Sequence, residues 1–233
     1  ETTSRDFSVP LCFCGSSVFR RGRMAAMRTI KILVTGGGSS GHISPALALI
    51  NTVRALAEGA SWQPLFRYVG GRQGIEQRLV TEAGIDFVGI ETGKLRRYFS
   101  LENATDMVRI PVGVGQALAV VRQFVPDVVL STGGYVGVPP VLAAWLLRRP
   151  ILTHEQTVQI GLANRITARF ATRIALSFAG AASELPARLR AKTLVTGNPV
   201  RPLIFGGDRQ EAARLAGFAP EDVALPTVYV TGG

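Results

Sequence analysis

Ile30-Lys31-Ile32-Leu33-Val34-Thr35-Gly36-Gly37-Gly38-Ser39-Ser40-Gly41-His42 decides the fold. The apolar run Ile30 to Val34 reads as a strand, and the residues after Pro45 read as a helix. A strand, a glycine turn and a helix start together make an anion site. The glycines admit close backbone approach, and free N–H groups with the helix dipole favour a phosphate. The arrangement recurs at Val129-Leu130-Ser131-Thr132-Gly133-Gly134-Tyr135. The chain closes on Val230-Thr231-Gly232-Gly233, which repeats the letters of 34–37 and reads as the opening of a further domain cut short.

Working outward, strand-like and helix-like runs alternate, which argues for an α/β fold on a parallel sheet. Strands are expected at Ile30–Val34, Leu65–Val69, Phe87–Ile90, Asp127–Ser131, Ile151–His154, Arg173–Leu176, Leu194–Thr196 and Thr227–Thr231. Helices are expected at Ala46–Ala57, with Pro45 in its first turn, and at Gly74–Ala83, stopped by Gly84. Further helices are expected at Ala104–Phe124, broken or kinked by Pro111, at Pro140–Leu147, at Ile160–Phe170 and at Arg209–Leu215. Gly197-Asn198-Pro199-Val200-Arg201-Pro202 is punctuated like a domain edge. In such sheets ligands bind outside the carboxyl ends of the strands. Both histidines of the chain, His42 and His154, fall on that edge.

The balance of 47% hydrophobic and 18% charged residues is that of a globular chain. The formal charge of +10 points to an anionic partner: nucleic acid, anionic lipid or a phosphorylated substrate. Aromatic content of 7% and the lack of a nucleic-acid module disfavour the first. Cys12 and Cys14 have no second ligand pair, so neither a metal site nor a structural disulfide is expected, and a reducing compartment fits. No Asp-x-Asp occurs, and no metal or cofactor is expected. No apolar run reaches spanning length, the nearest being Val136–Leu147. Residues 1–26 read as a disordered extension without a signal-peptide pattern.

Gly36-x-Gly38-x-x-Gly41 also satisfies the dinucleotide fingerprint. A nicotinamide site needs an acidic residue after the second strand. Here Val69-Gly70-Gly71-Arg72 follows instead, so only an NADP-linked reductase using Arg72 for a 2′-phosphate remains as an alternative.

The motifs together resemble the MurG-type glycosyltransferases, inverting GT-B enzymes of peptidoglycan synthesis. The resemblance rests on Gly36-Gly37-Gly38-Ser39-Ser40-Gly41-His42-Ile43-Ser44-Pro45, Gly133-Gly134-Tyr135-Val136, His154-Glu155-Gln156, Gly161-Leu162-Ala163-Asn164 and Gly197-Asn198-Pro199-Val200-Arg201, in the family's order. It implies a Rossmann-like acceptor domain over 27–203, with helices on both faces of a parallel sheet. It implies that 204–233 are a linker and the first strand of a truncated donor domain, and that this piece alone is inactive. The implied reaction transfers N-acetylglucosamine from UDP-N-acetylglucosamine to undecaprenyl-diphospho-N-acetylmuramoyl-pentapeptide (lipid I), giving lipid II.

By the same resemblance Gly37, Gly38, Ser39, Ser40, Gly41, Gly133, Gly134 and Tyr135 hold the acceptor diphosphate. His42 and Glu155 compete as catalytic base, with His42 alternatively a diphosphate ligand. Asn164 and Arg201 lie towards UDP-N-acetylglucosamine. Thr157 stands where the family often has Asn. Each residue also has a plainer reading: tight βα turns for the glycines, a packed loop tyrosine for Tyr135, a capping carboxylate for Glu155, a helix-face amide for Asn164 and a surface ion pair for Arg201. Lys94, Arg96, Arg97, Tyr98 and Phe99 combine cations with aromatics and suit either an anionic bilayer or a solvated loop. The lipid acceptor implied by the family favours the bilayer and a peripheral location on the cytoplasmic face of the bacterial membrane. A non-enzymatic polyprenyl-diphosphate-binding module is the remaining alternative.

Overall fold

The structure is a computed structural model that describes residues 27–93, 102–201 and 206–219, with backbone alone for 102–108. Among the described residues seven strands form one sheet: β1 (Arg28–Thr35), β2 (Trp62–Gly71), β3 (Asp86–Ile90), β4 (Val128–Ser131), β5 (Ile151–Glu155), β6 (Arg173–Leu176) and β7 (Thr193–Val195). Their order is β3-β2-β1-β4-β5-β6-β7, and every neighbouring pair is parallel. The helices are α1 (Ser40–Ala57), α2 (Glu76–Glu82), α3 (Glu102–Phe124), α4 (Val138–Leu146), α5 (Leu162–Phe170), α6 (Ala187–Arg190) and α7 (Arg209–Leu215).

The end of β1, Ile32-Leu33-Val34, is apolar without a break because both faces of the strand are covered there. Ile32 and Val34 pack with Ala46 and Ile50 of α1, Val80 of α2, and Phe66 and Tyr68 of β2. Leu33, one residue out of phase, packs on the opposite side with Ala117 and Val121 of α3, Val141 of α4 and Ala168 of α5. The period-two alternation of a strand thus divides one apolar run between two cores.

Pro64 lies inside β2, where a missing N–H would normally break a ladder. β3 joins β2 only from Arg67 onward, so the stretch around Pro64 is paired on its β1 side alone. α1 differs from expectation. It begins at Ser40 rather than Ala46, which makes Pro45 its sixth residue. Pro45 cannot donate to the Gly41 carbonyl four residues back. Gly41 is exposed, so water can serve that carbonyl and the turn survives. Likewise α3 runs through Pro111 as one helix. Three short elements escape the sequence reading, the 3-10 turns Tyr135–Gly137 and Ala179–Glu184 and α6. All lack the length for an apolar period to show. The strand expected at 227–231, the 1–26 extension and the 94–99 loop lie outside the described residues.

The strand order reverses between β1 and β4, with Thr35 opposite Ser131. This is the position where open α/β sheets bind ligands. The two glycine turns leave the sheet here, side by side.

Candidate functional site at the β1–β4 switch point

The two turns are bonded to each other. Thr132 N–H donates to Thr35 O at 2.9 Å, and Gly37 N–H donates to Gly133 O at 3.2 Å. A Cβ on Gly134 (φ +78°) would run into the Gly37 carbonyl, and one on Gly38 (φ +89°) would run into the Tyr135 ring. Close packing of the two turns, rather than turn geometry alone, demands glycine at these positions.

This packing narrows the expected diphosphate cradle. The N–H of Gly37 is taken by Gly133 O, and that of Gly133 reaches Ser131 Oγ at 3.3 Å. Both glycines are buried and join the turns. Gly38, Ser39, Ser40 and Gly41 are exposed. Ser39 is the N-cap of α1 and makes no side-chain capping bond; the His42 N–H donates to Ser39 O at 3.2 Å, and the N–H groups of Ser40 and Gly41 receive no cap from the Ser39 side chain. Tyr135 opens a 3-10 turn and lies half-buried against Gly38.

His42 sits in the first turn of α1, half-buried. Its Nδ1 lies 2.9 Å from Thr132 O. A carbonyl only accepts, so Nδ1 carries the hydrogen of this bond, and in the neutral ring Nε2 is left as an acceptor. The Thr132 hydroxyl donates to His42 O at 2.7 Å. The His42 ring edge lies against Gly134, with Cδ2 3.0 Å from where a Cβ there would stand.

His154, at the end of β5, is only 2% exposed and is engaged at both nitrogens. Nε2 lies 3.1 Å from Gly197 O and Nδ1 lies 3.2 Å from the Gln156 amide nitrogen. The amide donates and the carbonyl accepts, so His154 holds the tautomer opposite to His42. Burial pushes its pKa down, opposed by the Gly197 carbonyl and by Glu155. The Gln156 amide also donates to Thr132 O at 2.8 Å, so that carbonyl receives two donors. A polar chain therefore crosses the crevice floor from the Gly197 turn to α1.

Glu155 is 4% exposed and has both oxygens occupied. Oε1 accepts from Thr157 N–H at 3.0 Å and from the Thr157 hydroxyl at 2.7 Å, while Oε2 accepts from the Asn164 amide at 2.7 Å. Thr157 thus orders the carboxylate through its own backbone and hydroxyl. Asn164 is buried against the Cα of Gly133, and its Oδ1 finds no partner among the described residues. Arg201 is exposed just beyond the Gly197 turn. The structure brings His42, Glu155, Asn164, Gly133 and Gly134 together; Lys94, Arg96, Arg97, Tyr98 and Phe99 lie outside the described residues. Among the described residues no cluster of His, Cys, Asp and Glu has the makings of a metal site.

Four residues of this region have no role assigned from sequence: Thr132 and Gln156, which appear there only inside motifs, and Tyr68 and Glu76. Tyr68 is fully buried and its hydroxyl donates to Gly36 O at 2.6 Å. Burial first, and then the nearby Glu76 carboxylate, hold that hydroxyl protonated far above the usual tyrosine range. Glu76 is also fully buried, accepts from Gly71 N–H at 2.8 Å, and fills space left by Gly37, Gly70 and Gly74. The glycines at 70, 71 and 74 were its signal, since each lack of a side chain makes room for another.

The model of the glycosyltransferase family 28 N-terminal domain matches residues 32–176. The chain belongs to glycosyltransferase family 28. It is 40% identical over 203 residues to the UDP-N-acetylglucosamine–N-acetylmuramyl-(pentapeptide) pyrophosphoryl-undecaprenol N-acetylglucosamine transferase 2 of Bacillus anthracis, covering 87% of this chain and 54% of that one. The like-named transferase of Treponema pallidum (strain Nichols) is 39% identical over 213 residues, covering 91% and 53%. The crystal structure of Acinetobacter baumannii MurG superposes with a TM-score of 0.58 at 25% identity, covering 74% of this chain and 46% of that one. The chain spans about half the length of the curated relatives it matches. The family 28 fold is the expected Rossmann-like unit of a GT-B enzyme. The NADP-linked reductase and the stand-alone binding module draw no support from these relatives. Arg72, on which the reductase rested, is 3.4 Å from Glu91 in an ion pair, and its N–H is bonded to Ile90 O.

Proposed function

We propose that residues 27–203 form the acceptor-binding half of an N-acetylglucosaminyltransferase that takes UDP-N-acetylglucosamine as donor and lipid I as acceptor, giving lipid II. The acceptor diphosphate docks on the exposed N–H groups of Ser39, Ser40 and Gly41 and on Gly134, with Gly37, Gly38, Gly133 and Tyr135 holding the two turns in place. The acceptor hydroxyl oxygen then attacks the anomeric carbon, the bond to UDP breaks with inversion, and the hydroxyl proton passes to His42 Nε2. The single observation behind this is the His42 Nδ1–Thr132 O bond, which leaves Nε2 as an acceptor beside the helix N-terminus.

Glu155, the competing base, has both oxygens engaged, so we assign it to positioning Thr157 and Asn164. Asn164 shapes the floor beneath Gly133, and Arg201 extends towards the nucleotide. The charge of +10 suits an anionic lipid surface, and we place the protein peripherally on the cytoplasmic face of the membrane through Lys94, Arg96, Arg97, Tyr98 and Phe99. Among the described residues no helix is long and apolar enough to cross a membrane.

The test is binding of undecaprenyl diphosphate to the 233-residue chain. Valine at Gly38 or Gly134 would break the packing of the turns and report on folding instead. Gly41 has a negative φ, and a Cβ there meets only Ser39 Oγ at 3.7 Å. Gly41→Val therefore obstructs the anion without disturbing the turns. It should weaken binding at least tenfold, about 1.4 kcal/mol, with the melting curve unchanged. Unchanged affinity would remove the diphosphate from this site.

A further inference from the structure

The first turn of α1 carries His42 yet is weakly held by its own helix. Its N-cap makes no side-chain bond, and Pro45 leaves the Gly41 carbonyl without a helical donor. Something outside the helix must fix the ring. Thr132 is fully buried and reaches His42 at two points. Its hydroxyl donates to His42 O at 2.7 Å, and its carbonyl accepts from His42 Nδ1 at 2.9 Å. The Thr132 backbone is itself pinned, with its N–H on Thr35 O at 2.9 Å and the Gln156 amide on its carbonyl at 2.8 Å. The same hydroxyl occupies the space a side chain at Gly36 would fill.

We propose that Thr132 is a positioning residue for His42, clasping its main chain through the hydroxyl and its ring through the carbonyl, and so fixing the tautomer that opens Nε2 to the acceptor. This rests on the reading of His42 as the group that receives the acceptor proton. Thr132 touches neither substrate nor the reacting atoms; it acts through His42 alone. The hydroxyl holds the helix turn at the distance at which the ring bond can form. Without it the turn is free to shift, and Nδ1 is no longer obliged to keep its hydrogen.

The chain has only two histidines, so its ring nitrogens can be read directly by long-range proton–nitrogen NMR of the 233-residue protein, with His42→Gln assigning the pair. The wild-type chain should show His42 hydrogenated at Nδ1 and His154 at Nε2. Thr132→Val, which keeps the shape and deletes the hydroxyl, should convert His42 to a mixture of tautomers and leave His154 unchanged. Thr132→Ser restores the hydroxyl and should restore the single tautomer. Should the valine chain fail to fold, Thr132→Ala deletes the same hydroxyl without the bulk and is read in the same way. A folded valine or alanine variant with His42 still purely Nδ1–H overturns the clasp and leaves the base role standing. A serine variant that also shows the mixture overturns it too, because the methyl group would then be responsible. A wild-type His42 hydrogenated at Nε2 overturns the base role itself.

Discussion

His42 and His154 stand on the same edge of the same sheet, and their surroundings make them different reagents. His154 is buried at the end of a central strand, and both of its nitrogens are used inside the protein. His42 stands on the first turn of a helix, half-buried, with one nitrogen bonded and the other left as an acceptor. Being at the ligand edge is therefore not sufficient for a role in chemistry. What separates the two is whether the protein has already consumed the ring's hydrogen-bonding capacity. The same contrast divides the glycine turns. Gly37 and Gly133 use their N–H groups to hold the turns together, while Ser39, Ser40 and Gly41 present a helix start to the crevice.

The comparison breaks most sharply on activity. In a chimera joining this chain to the part of the Bacillus anthracis transferase beyond the match, His42→Ala should lower kcat by about 10²–10⁴-fold, the usual range for a lost general base. The acceptor KM should change little. A large rise in KM with kcat kept would mark a diphosphate ligand instead.

Stability should order the two residues the other way. His154→Leu takes the donor from the half-buried Gly197 carbonyl and one acceptor from the Gln156 amide, and should cost about 1–3 kcal/mol by urea titration. His42→Leu should cost under about 1 kcal/mol in the same urea titration, since the buried Thr132 carbonyl keeps the Gln156 amide as a donor. Equal losses would mean that the two rings are equally structural.

The smallest effect is on pH. His154 has a folded pKa below its unfolded value of 6.5, because burial disfavours the imidazolium. The unfolded chain therefore binds the proton first on acidification. Stability from this group is present above pH 6.5 and is lost as pH falls through the lower, folded pKa. His154→Leu should flatten the fall in urea midpoint over that window.

Much of this was legible in the chain. The apolar run before Gly36, its repeat before Gly133, and the alternation of elements point to a parallel sheet with a crevice between two turns. α7 and β6 fall where the sequence put them, because Asp208 caps the helix by accepting from Glu211 N–H at 2.8 Å and β6 follows Arg173 with the apolar run Ile174-Ala175-Leu176. The start of α1 is not legible because Ser40-Gly41-His42 has poor helix propensity, while tertiary contact from Thr132 holds it helical. The occupied N–H groups of Gly37 and Gly133 were illegible for a related reason. Sequence shows that a turn is rich in donors, and only packing shows which donors are already taken. Buried Glu76 looks like an ordinary helix-start carboxylate, and only the glycines at 70, 71 and 74 hint at the space that receives it.

The most direct test is to titrate the 233-residue chain with inorganic pyrophosphate and follow both histidine rings with the amides of residues 38–42 and 134. Saturable shifts are expected of the His42 ring, of Ser39–Gly41 and of Gly134, with the His154 ring unmoved. Saturable shifts of the His154 ring with residues 38–42 silent would contradict that expectation.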